Sequence, residues 1–250
     1  MNIHPIFHIP HDGSAFPEEL MSSVCVSPER FLRYHEKMRD RDMVKMVPHR
    51  FRNNDHLVFF PVSRLLCDVE RFIGPQEIME RYGMGYCYER AYDGKRIKHI
   101  SDDLLLRTKK YYDGHHRLLD NLCHEYENIV LLDLHSYSDD IVPASYLRSG
   151  VGTPDVCLGA DPERSDPRLI AEVDNAFRRA GFSTALNYPY TGCMIPNRVL
   201  SGTYKGRFFG VMLELNKRIY TDGYGRSSDR SLDLLQSLID RIVDRLDVIL

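Results

Sequence analysis

Three apolar runs in this chain each end in a short polar segment. The runs cover residues 6–9, 129–132 and 208–213. Within three residues of their ends come His11, His135 and Glu214. Short continuous apolar runs are typical of strands buried on both faces of a parallel sheet. Side chains at the carboxyl ends of such strands form the site in α/β proteins. The pattern therefore predicts an α/β fold with two histidines and a carboxylate at its site.

Strands and helices are predicted to alternate along the chain. The expected strands cover residues 3–9, 56–60, 64–69, 129–132, 156–159, 182–186 and 208–213. The expected helices cover residues 28–46, 74–82, 101–122, 167–181 and 232–246. The helix with the clearest signals has Asp166 as its N-cap, Pro167 at its first position and Gly181 at its end. This order predicts a mixed, mainly parallel sheet flanked by helices, in a single domain of residues 1–250.

Composition excludes several classes of protein. The net charge is −3 and the charged residues are scattered, so no nucleic-acid-binding surface is expected. No apolar run approaches the roughly 20 residues needed to cross a bilayer, and the first residues lack a signal-peptide pattern. The six cysteines form no Cys-x-x-Cys pair, which favours a reduced, cytoplasmic setting.

Two histidines and a carboxylate are the side chains that a catalytic zinc site requires. Such a site generally has three protein ligands and leaves the fourth position to water. Asp40 and Asp42, at the end of the first long helix, are both candidates for the third ligand, and Asp133 could orient nearby groups. Glu214 ends an apolar strand, where a carboxylate needs a partner or a catalytic role. We therefore expect one zinc ion per chain, with Glu214 as the general base of a hydrolase.

Several ordered segments make the chain resemble the N-formylglutamate amidohydrolases. They are Ile9-Pro10-His11-Asp12-Gly13-Ser14, Asp40-Arg41-Asp42, the stretch from Ser63 to Arg71, His116, Asp133-Leu134-His135-Ser136 and Leu213-Glu214-Leu215-Asn216. The resemblance spans roughly residues 6–220. It implies the phosphorylase/hydrolase-like α/β fold of zinc peptidases, similar to that of zinc carboxypeptidases.

The resemblance also assigns roles to individual residues. By position, His11, Asp42 and His135 correspond to the metal ligands. Glu214 corresponds to the general base, and Arg71 to a residue that binds a carboxylate or polarises the scissile carbonyl. A guanidinium suits a substrate carboxylate because it can donate two parallel hydrogen bonds.

Two further residues complete the expected site. His116 could help to stabilise the oxyanion of the tetrahedral intermediate, and Arg198 is the second candidate, after Arg71, for the substrate carboxylate. The implied substrate is a small N-acyl amino acid such as N-formylglutamate. Hydrolysis of a formyl substrate would release formate and the free amino acid.

The chain departs from the family pattern at three places, of which the added negative charge of Glu70 and the changed loop bear on substrate selection. Met43 follows Asp42, where the family commonly has an aromatic residue, and Glu70 stands where an asparagine is usual. The family's aromatic and glycine-rich loop matches residues 188–193 only loosely.

Other functions are compatible with parts of the sequence. A zinc amidase or carboxypeptidase of the same fold could act on a peptide or cell-wall fragment, and a binding module could keep the metal without catalysis. Retention of His11, His135 and Glu214 together argues against the binding module. An arginase-like dimetal centre expects an aspartate at position 137, which is Tyr137, and no Gly-x-Ser-x-Gly segment supports a serine nucleophile.

Overall fold

The computed structural model describes residues 2–223 and 225–250, which form two compact units. The sheet unit takes the described residues of 1–9, 42–58 and 120–250. The small unit takes residues 10–41 and 59–119. The expected organisation as a single domain stays a prediction, and the two units are described separately.

A six-stranded sheet forms the centre of the sheet unit. Its strands are β1 (His4–Ile9), β2 (Leu57–Phe59), β3 (Asn128–Tyr137), β4 (Val156–Gly159), β5 (Thr184–Leu186) and β6 (Arg207–Asn216). The strand order is β2-β1-β3-β6-β4-β5. The pairs β1–β3, β3–β6 and β4–β5 are parallel, whereas β4 and β6 are antiparallel. The predicted mixed, mainly parallel sheet is therefore confirmed.

The two central strands are longer than their apolar runs indicate. Both β3 and β6 contain ten residues, so His135 and Glu214 lie inside strands and not beyond their ends. The expectation that these two side chains follow their strands is wrong. The ladder between β3 and β6 continues through the polar residues as far as the pair Tyr137 and Asn216, because backbone pairing does not depend on side-chain polarity.

The described residues contain eight α-helices, shared between the two units. They are α1 (Glu18–Met21), α2 (Pro28–Met38), α3 (Met43–Met46), α4 (Asp102–Glu125), α5 (Pro167–Arg179), α6 (Asn197–Leu200), α7 (Asp229–Val243) and α8 (Leu246–Ile249). Short 3-10 helices cover His49–Phe51, Glu80–Tyr82, Asp139–Ile141, Ala144–Tyr146 and Lys217–Ile219. Within residues 2–223 and 225–250, no helix combines the length and apolar character needed to span a bilayer.

Helix α5 shows how local signals set the elements of the sheet unit. The side chain of Asp166 accepts a hydrogen bond from the Arg168 backbone N–H at 2.8 Å, which caps the helix. The buried face carries Leu169, Val173 and Phe177, and the helix packs against β4, β5, α7 and α8. Helix α7 buries an equivalent apolar stripe, which ends before α8 begins. These helices protect one part of the sheet from water.

The small unit has an apolar core of its own. Helix α2 starts after the predicted cap Ser27 and buries Phe31, Tyr34 and Met38. The same core contains Leu20, Phe60, Val62, Leu65, Leu66, Cys67, Val69, Cys87, Tyr88, Ala91, Ile97 and Leu104. The core therefore packs residues 60–69 together with α2, and it leaves the polar side chains of Ser63 and Asp68 buried.

Two predicted elements of the small unit are wrong. Residues 64–69 form turns and not a strand, because the Ser63 carbonyl and hydroxyl accept hydrogen bonds from the next backbone N–H groups. Residues 74–82 form only a 3-10 turn at their end. The Glu77 carboxylate accepts hydrogen bonds from the backbone N–H groups of Phe72 and Met79, and these bonds compete with helix formation.

Candidate active-site residues

Asp68 is the centre of a buried polar network in the small unit. Its carboxylate has no exposed surface and accepts hydrogen bonds from Tyr88 Oη at 2.8 Å and Arg64 Nη2 at 2.9 Å. The Glu70 backbone N–H donates to Oδ1 at 3.1 Å. His11 Nε2 lies 2.9 Å from the same oxygen. A carboxylate with this many donors is held rigidly as an anion.

His11 is held between two carboxylates. While Nε2 faces Asp68, Nδ1 lies 3.5 Å from Oδ2 of Asp40. The Asp40 backbone N–H donates to the His11 carbonyl at 3.0 Å, which ties the two segments together. If Nε2 donates its proton to Asp68, the lone pair of Nδ1 points towards Asp40. The small unit therefore presents a nitrogen and an oxygen donor side by side, both buried.

Gly13 makes this placement of His11 possible. A Cβ atom at Gly13 would lie 2.3 Å from the Phe60 carbonyl oxygen, closer than any real side chain allows. The absence of a side chain lets residues 13–15 run beside residues 60–63, where the Ala15 N–H donates to the Pro61 carbonyl at 2.8 Å. The tight turn after His11 that the sequence predicts is thus fixed by close backbone contact.

Electrostatics stabilises the charged forms of the small-unit network. Burial and the Arg64 charge both lower the pKa of His11, but Asp68 and Asp40 outweigh them and raise it. Burial raises the pKa of Asp68, but His11, Arg64 and Arg71 together hold it well below its usual range. Asp68 is therefore an anion near neutral pH.

The other predicted residues of the small unit surround this network. Arg71 Nε lies 3.7 Å from Asp68 Oδ2, and Glu70 Oε2 lies 3.6 Å from His11 Nε2. The His116 Nε2 lies 2.8 Å from the Val69 carbonyl, so it donates there and fixes the imidazole ring. The small unit therefore brings His11, Arg71, Glu70 and His116 into one neighbourhood around residues 68–71.

Four polar side chains share one face of the sheet in the sheet unit. His8 on β1 pairs in register with Asp133 on β3, and His135 on β3 pairs with Glu214 on β6. Residues in register on parallel neighbours point to the same face, as do residues two apart on one strand. His8, Asp133, His135 and Glu214 are therefore neighbours, and all four are buried.

Asp133 orients the two histidines on this face. Its Oδ1 lies 2.7 Å from His8 Nδ1 and 3.0 Å from His135 Nε2, and its Oδ2 accepts the Met194 backbone N–H at 2.8 Å. Burial raises the pKa of Asp133, but the opposing effect of His135 and His8 is larger and holds it well below its usual range. Asp133 thus engages Nε2 of His135, and a carboxylate in this position fixes the orientation of the ring.

Asp42 and Arg198 are the remaining predicted site residues of the sheet unit, and each has its own set of contacts. Asp42 has a left-handed backbone (φ 65°), accepts a hydrogen bond from Ser227 Oγ and lies 2.9 Å from Lys45 Nζ. Arg198 lines a surface cleft with Tyr126 and Glu127, next to the start of β3. The strand β3 starts at Asn128, and His135 lies seven positions further along it, which corresponds to about 23 Å at ~3.3 Å per residue.

Sequence reasoning assigned no role to His8, and Arg64 and Asp68 entered it only within the stretch from Ser63 to Arg71. The structure shows an ion pair inside this stretch, with Arg64 Nη2 2.9 Å from Asp68 Oδ2. It also shows His8 inside β1, where a buried polar residue in an apolar run signals a partner on a neighbouring strand. Tyr88 had no sequence signal of its own.

A solved structure resembles this chain in fold over nearly its whole length. An N-formylglutamate amidohydrolase from Ralstonia eutropha JMP134 has 18% sequence identity and a TM-score of 0.77, over 98% of this chain and 94% of that one. A bacteriophage poly-gamma-glutamate hydrolase has 14% identity and a TM-score of 0.30, over 48% of this chain and 54% of that one. No curated protein sequence matches the chain.

The sequence itself matches a described family over most of its length. Residues 4–221 fit the N-formylglutamate amidohydrolase family, and this range includes every residue assigned to the site. The buried histidines and carboxylates of both units are of the types that hold metal ions. The chain belongs to the N-formylglutamate amidohydrolase family and is an amidohydrolase, an enzyme that hydrolyses linear amide bonds.

Proposed function

We propose that this enzyme is a zinc-dependent amidohydrolase that cleaves the amide of a small N-acyl amino acid, with N-formylglutamate as the first candidate. The observation that carries the proposal is the setting of His11. This buried imidazole is oriented through Nε2 by the anionic Asp68, and its Nδ1 lies 3.5 Å from an Asp40 oxygen. Metal-binding histidines are commonly oriented in this way by a carboxylate on the other ring nitrogen.

The donor atoms of the small unit fit a zinc ion. Ligands at ~2.0–2.1 Å from a tetrahedral zinc lie roughly 3.3–3.4 Å from one another, close to the separation of His11 Nδ1 and Asp40 Oδ2. His135, oriented by Asp133, is the second histidine of the proposed ligand set. The family resemblance gives Asp42 as the third ligand, and the contact with His11 favours Asp40. We propose one zinc ion per chain, held by His11, His135 and one of these aspartates.

Bound zinc would supply a Lewis acid that activates water and polarises the scissile carbonyl. Glu214 then acts as the general base: its carboxylate takes a proton from the attacking water and passes it to the leaving nitrogen. Its position on β6, in register with His135, supports this role because it puts the carboxylate beside a proposed ligand. Bond cleavage releases the acyl group as a carboxylic acid, which is formate for a formyl substrate.

Arg71 is the proposed group for the substrate carboxylate. Burial lowers the pKa of Arg71, but Tyr88 and Asp68 raise it by more, so the guanidinium stays charged. Arg198 stays the second candidate, although it lines a cleft next to the start of β3. His116 donates through Nε2 to Val69, so a contact with the oxyanion would use Nδ1 in its protonated form.

Substrate turnover tests the proposed reaction. Purified enzyme supplied with zinc is incubated with N-formylglutamate, N-acetylglutamate and a glutamate-containing dipeptide, and release of the free amino acid is measured. We expect formyl substrate to react fastest. Preference for the dipeptide by tenfold or more in kcat/KM would assign the enzyme to peptide hydrolysis instead.

Variants separate the role of the metal ligands from that of the base. Glu214→Gln should bind zinc as tightly as the wild type and lose at least about 10²-fold in kcat. His135→Ala should lose zinc. The pair Asp40→Asn and Asp42→Asn, compared by zinc titration, identifies the third ligand as the position whose change weakens binding more. A folded wild-type enzyme that turns over substrate equally well after complete zinc removal would refute the zinc mechanism.

A further inference from the structure

A lysine without any exposed surface lies in the core of the small unit. Lys98 Nζ donates hydrogen bonds to the Leu66 carbonyl at 3.2 Å and to Cys87 Sγ at 3.4 Å. Within the part of the chain that the structure describes, no carboxylate pairs with Lys98. A buried ammonium ion without a carboxylate is costly, and burial lowers the pKa of Lys98. The neutral amine, which is a nucleophile, is therefore accessible to this side chain.

Two cysteines lie near this amine, and only one is directed at it. Cys87 Sγ also accepts a hydrogen bond from Thr108 Oγ1 at 3.5 Å. The Cys67 thiol instead donates to the Thr108 carbonyl at 3.8 Å, and burial raises its pKa well above the usual range. Cys67 therefore stays a thiol turned away from the amine. Cys87 is 7% exposed, whereas Cys67 has no exposed surface.

We propose that Cys87 and Lys98 form an oxidative modification site, in which a single oxygen atom comes to bridge Sγ of Cys87 and Nζ of Lys98. The oxidant is a peroxide. A direct sulfur–nitrogen bond would require the two atoms to move much closer than their 3.4 Å separation, whereas a bridge through one oxygen requires a smaller movement. The site belongs to the core of the small unit and is independent of the amidohydrolase reaction.

The reaction balances with two molecules of hydrogen peroxide. The first oxidises the Cys87 thiol to a sulfenic acid and leaves one water. The second takes two electrons and two protons, one proton from the sulfenic hydroxyl and one from the Lys98 amine, and becomes two waters. The sulfenic oxygen forms its new bond to the lysine nitrogen, and a thiol reductant reverses the modification by reducing the sulfur.

The bridge would fix a segment that reaches the Asp68 network. Tyr88, next to Cys87, donates its hydroxyl to Asp68 at 2.8 Å. The Lys98 backbone N–H already donates to the Glu89 carbonyl at 3.3 Å, and the bridge would close the slightly larger loop of residues 87–98. Oxidation therefore adds a covalent restraint beside the residue that holds Asp68.

Peptide mapping of the oxidised wild-type protein tests the proposal. The folded, full-length protein is treated with hydrogen peroxide, unfolded, alkylated, digested and analysed by mass spectrometry. We expect a cross-linked peptide pair containing Cys87 and Lys98, with the mass of both peptides plus one oxygen and minus two hydrogens. The count of titratable thiols should fall by one from six, and dithiothreitol should restore it.

Other products would overturn the proposal. These are a Cys67–Cys87 disulfide, a cross-link without the added oxygen, and oxygen added to Cys87 without loss of hydrogen. As a matched pair of variants, Cys67→Ala should keep the cross-link and Lys98→Met should abolish it, leaving Cys87 to oxidise to sulfinic acid. If Lys98→Met fails to fold, the wild-type peptide map decides the question by itself.

Discussion

Removal of the Asp68 charge should cost the protein a large part of its stability. Asparagine at this position keeps the shape of the side chain and one carbonyl oxygen but loses the anion that compensates Arg64 and Arg71. Arg64 has only 14% of its side chain exposed and Arg71 has 25%, so water can solvate neither guanidinium fully. Breaking a buried ion pair by removing one partner costs about 3–5 kcal/mol. We expect a loss of this size in the free energy of unfolding for Asp68→Asn.

A smaller change in the same network provides the comparison. Tyr88→Phe removes one hydrogen bond of 2.8 Å to Asp68 and leaves the carboxylate with its charged partners. A single hydrogen bond to a charged group contributes about 1.5–3 kcal/mol. The loss for Tyr88→Phe should therefore be clearly smaller than that for Asp68→Asn.

Urea unfolding followed by circular dichroism measures both losses. The experiment is done at pH 7 with a chelator present, so that a change in metal affinity does not contribute. Asp93→Asn serves as the control, because Asp93 also accepts a tyrosine hydroxyl, from Tyr34 at 2.9 Å, whereas its cationic partner Lys95 is exposed. If Asp68→Asn lost no more than this control, Asp68 would not be the anion that keeps Arg64 and Arg71 in place.

Three further changes test separate parts of the fold. Gly13→Ala should destabilise by about 1–3 kcal/mol, because the new Cβ would meet the Phe60 carbonyl, whereas Gly152→Ala, with no atom within 4 Å, should change the urea midpoint little. Burial raises the pKa of Asp155, but hydrogen bonds from Ser183 and Arg218 outweigh it and lower that pKa. Its contribution to stability is therefore complete above the unfolded pKa of about 4 and lost as pH falls through the lower folded value. Between about pH 5 and about pH 2, the free energy of unfolding should therefore fall less for Asp155→Asn than for the wild type. Asp166→Ala should cost about 1 kcal/mol in thermal unfolding by removing the cap of α5, and an unchanged midpoint would contradict that role.

Local signals in the sequence were sufficient for much of the fold. The caps Ser27 and Asp166 start α2 and α5 at the predicted residues, because capping depends on groups within three positions along the chain. The apolar runs mark β1, β3 and β6, because strands buried on both faces have few polar residues. Parallel pairing of these strands follows from the helices and loops that connect them.

Local signals could not predict contacts between residues that are far apart in the sequence. His11 and Asp68 are 57 positions apart, and Asp133 and Met194 are 61 apart. No periodicity or cap relates such pairs, so the sequence could name His11 without identifying the carboxylate that orients it. His8 was left without a role for the same reason, since its partner Asp133 lies on a neighbouring strand and not nearby in the chain.

Asp68 orients one histidine and Asp133 orients two, and the charges of these carboxylates are compensated differently. Asp68 has a guanidinium at 2.9 Å, so its anion is balanced whatever the protonation of His11. Among the described residues no lysine or arginine pairs with Asp133, whose partners are His8, His135 and one backbone N–H. A buried carboxylate is stabilised by a nearby positive charge, and the described partners of Asp133 include no permanent one. We therefore expect a cation bound at His135, as in the proposed zinc site, to stabilise the sheet face that holds Asp133 and Glu214.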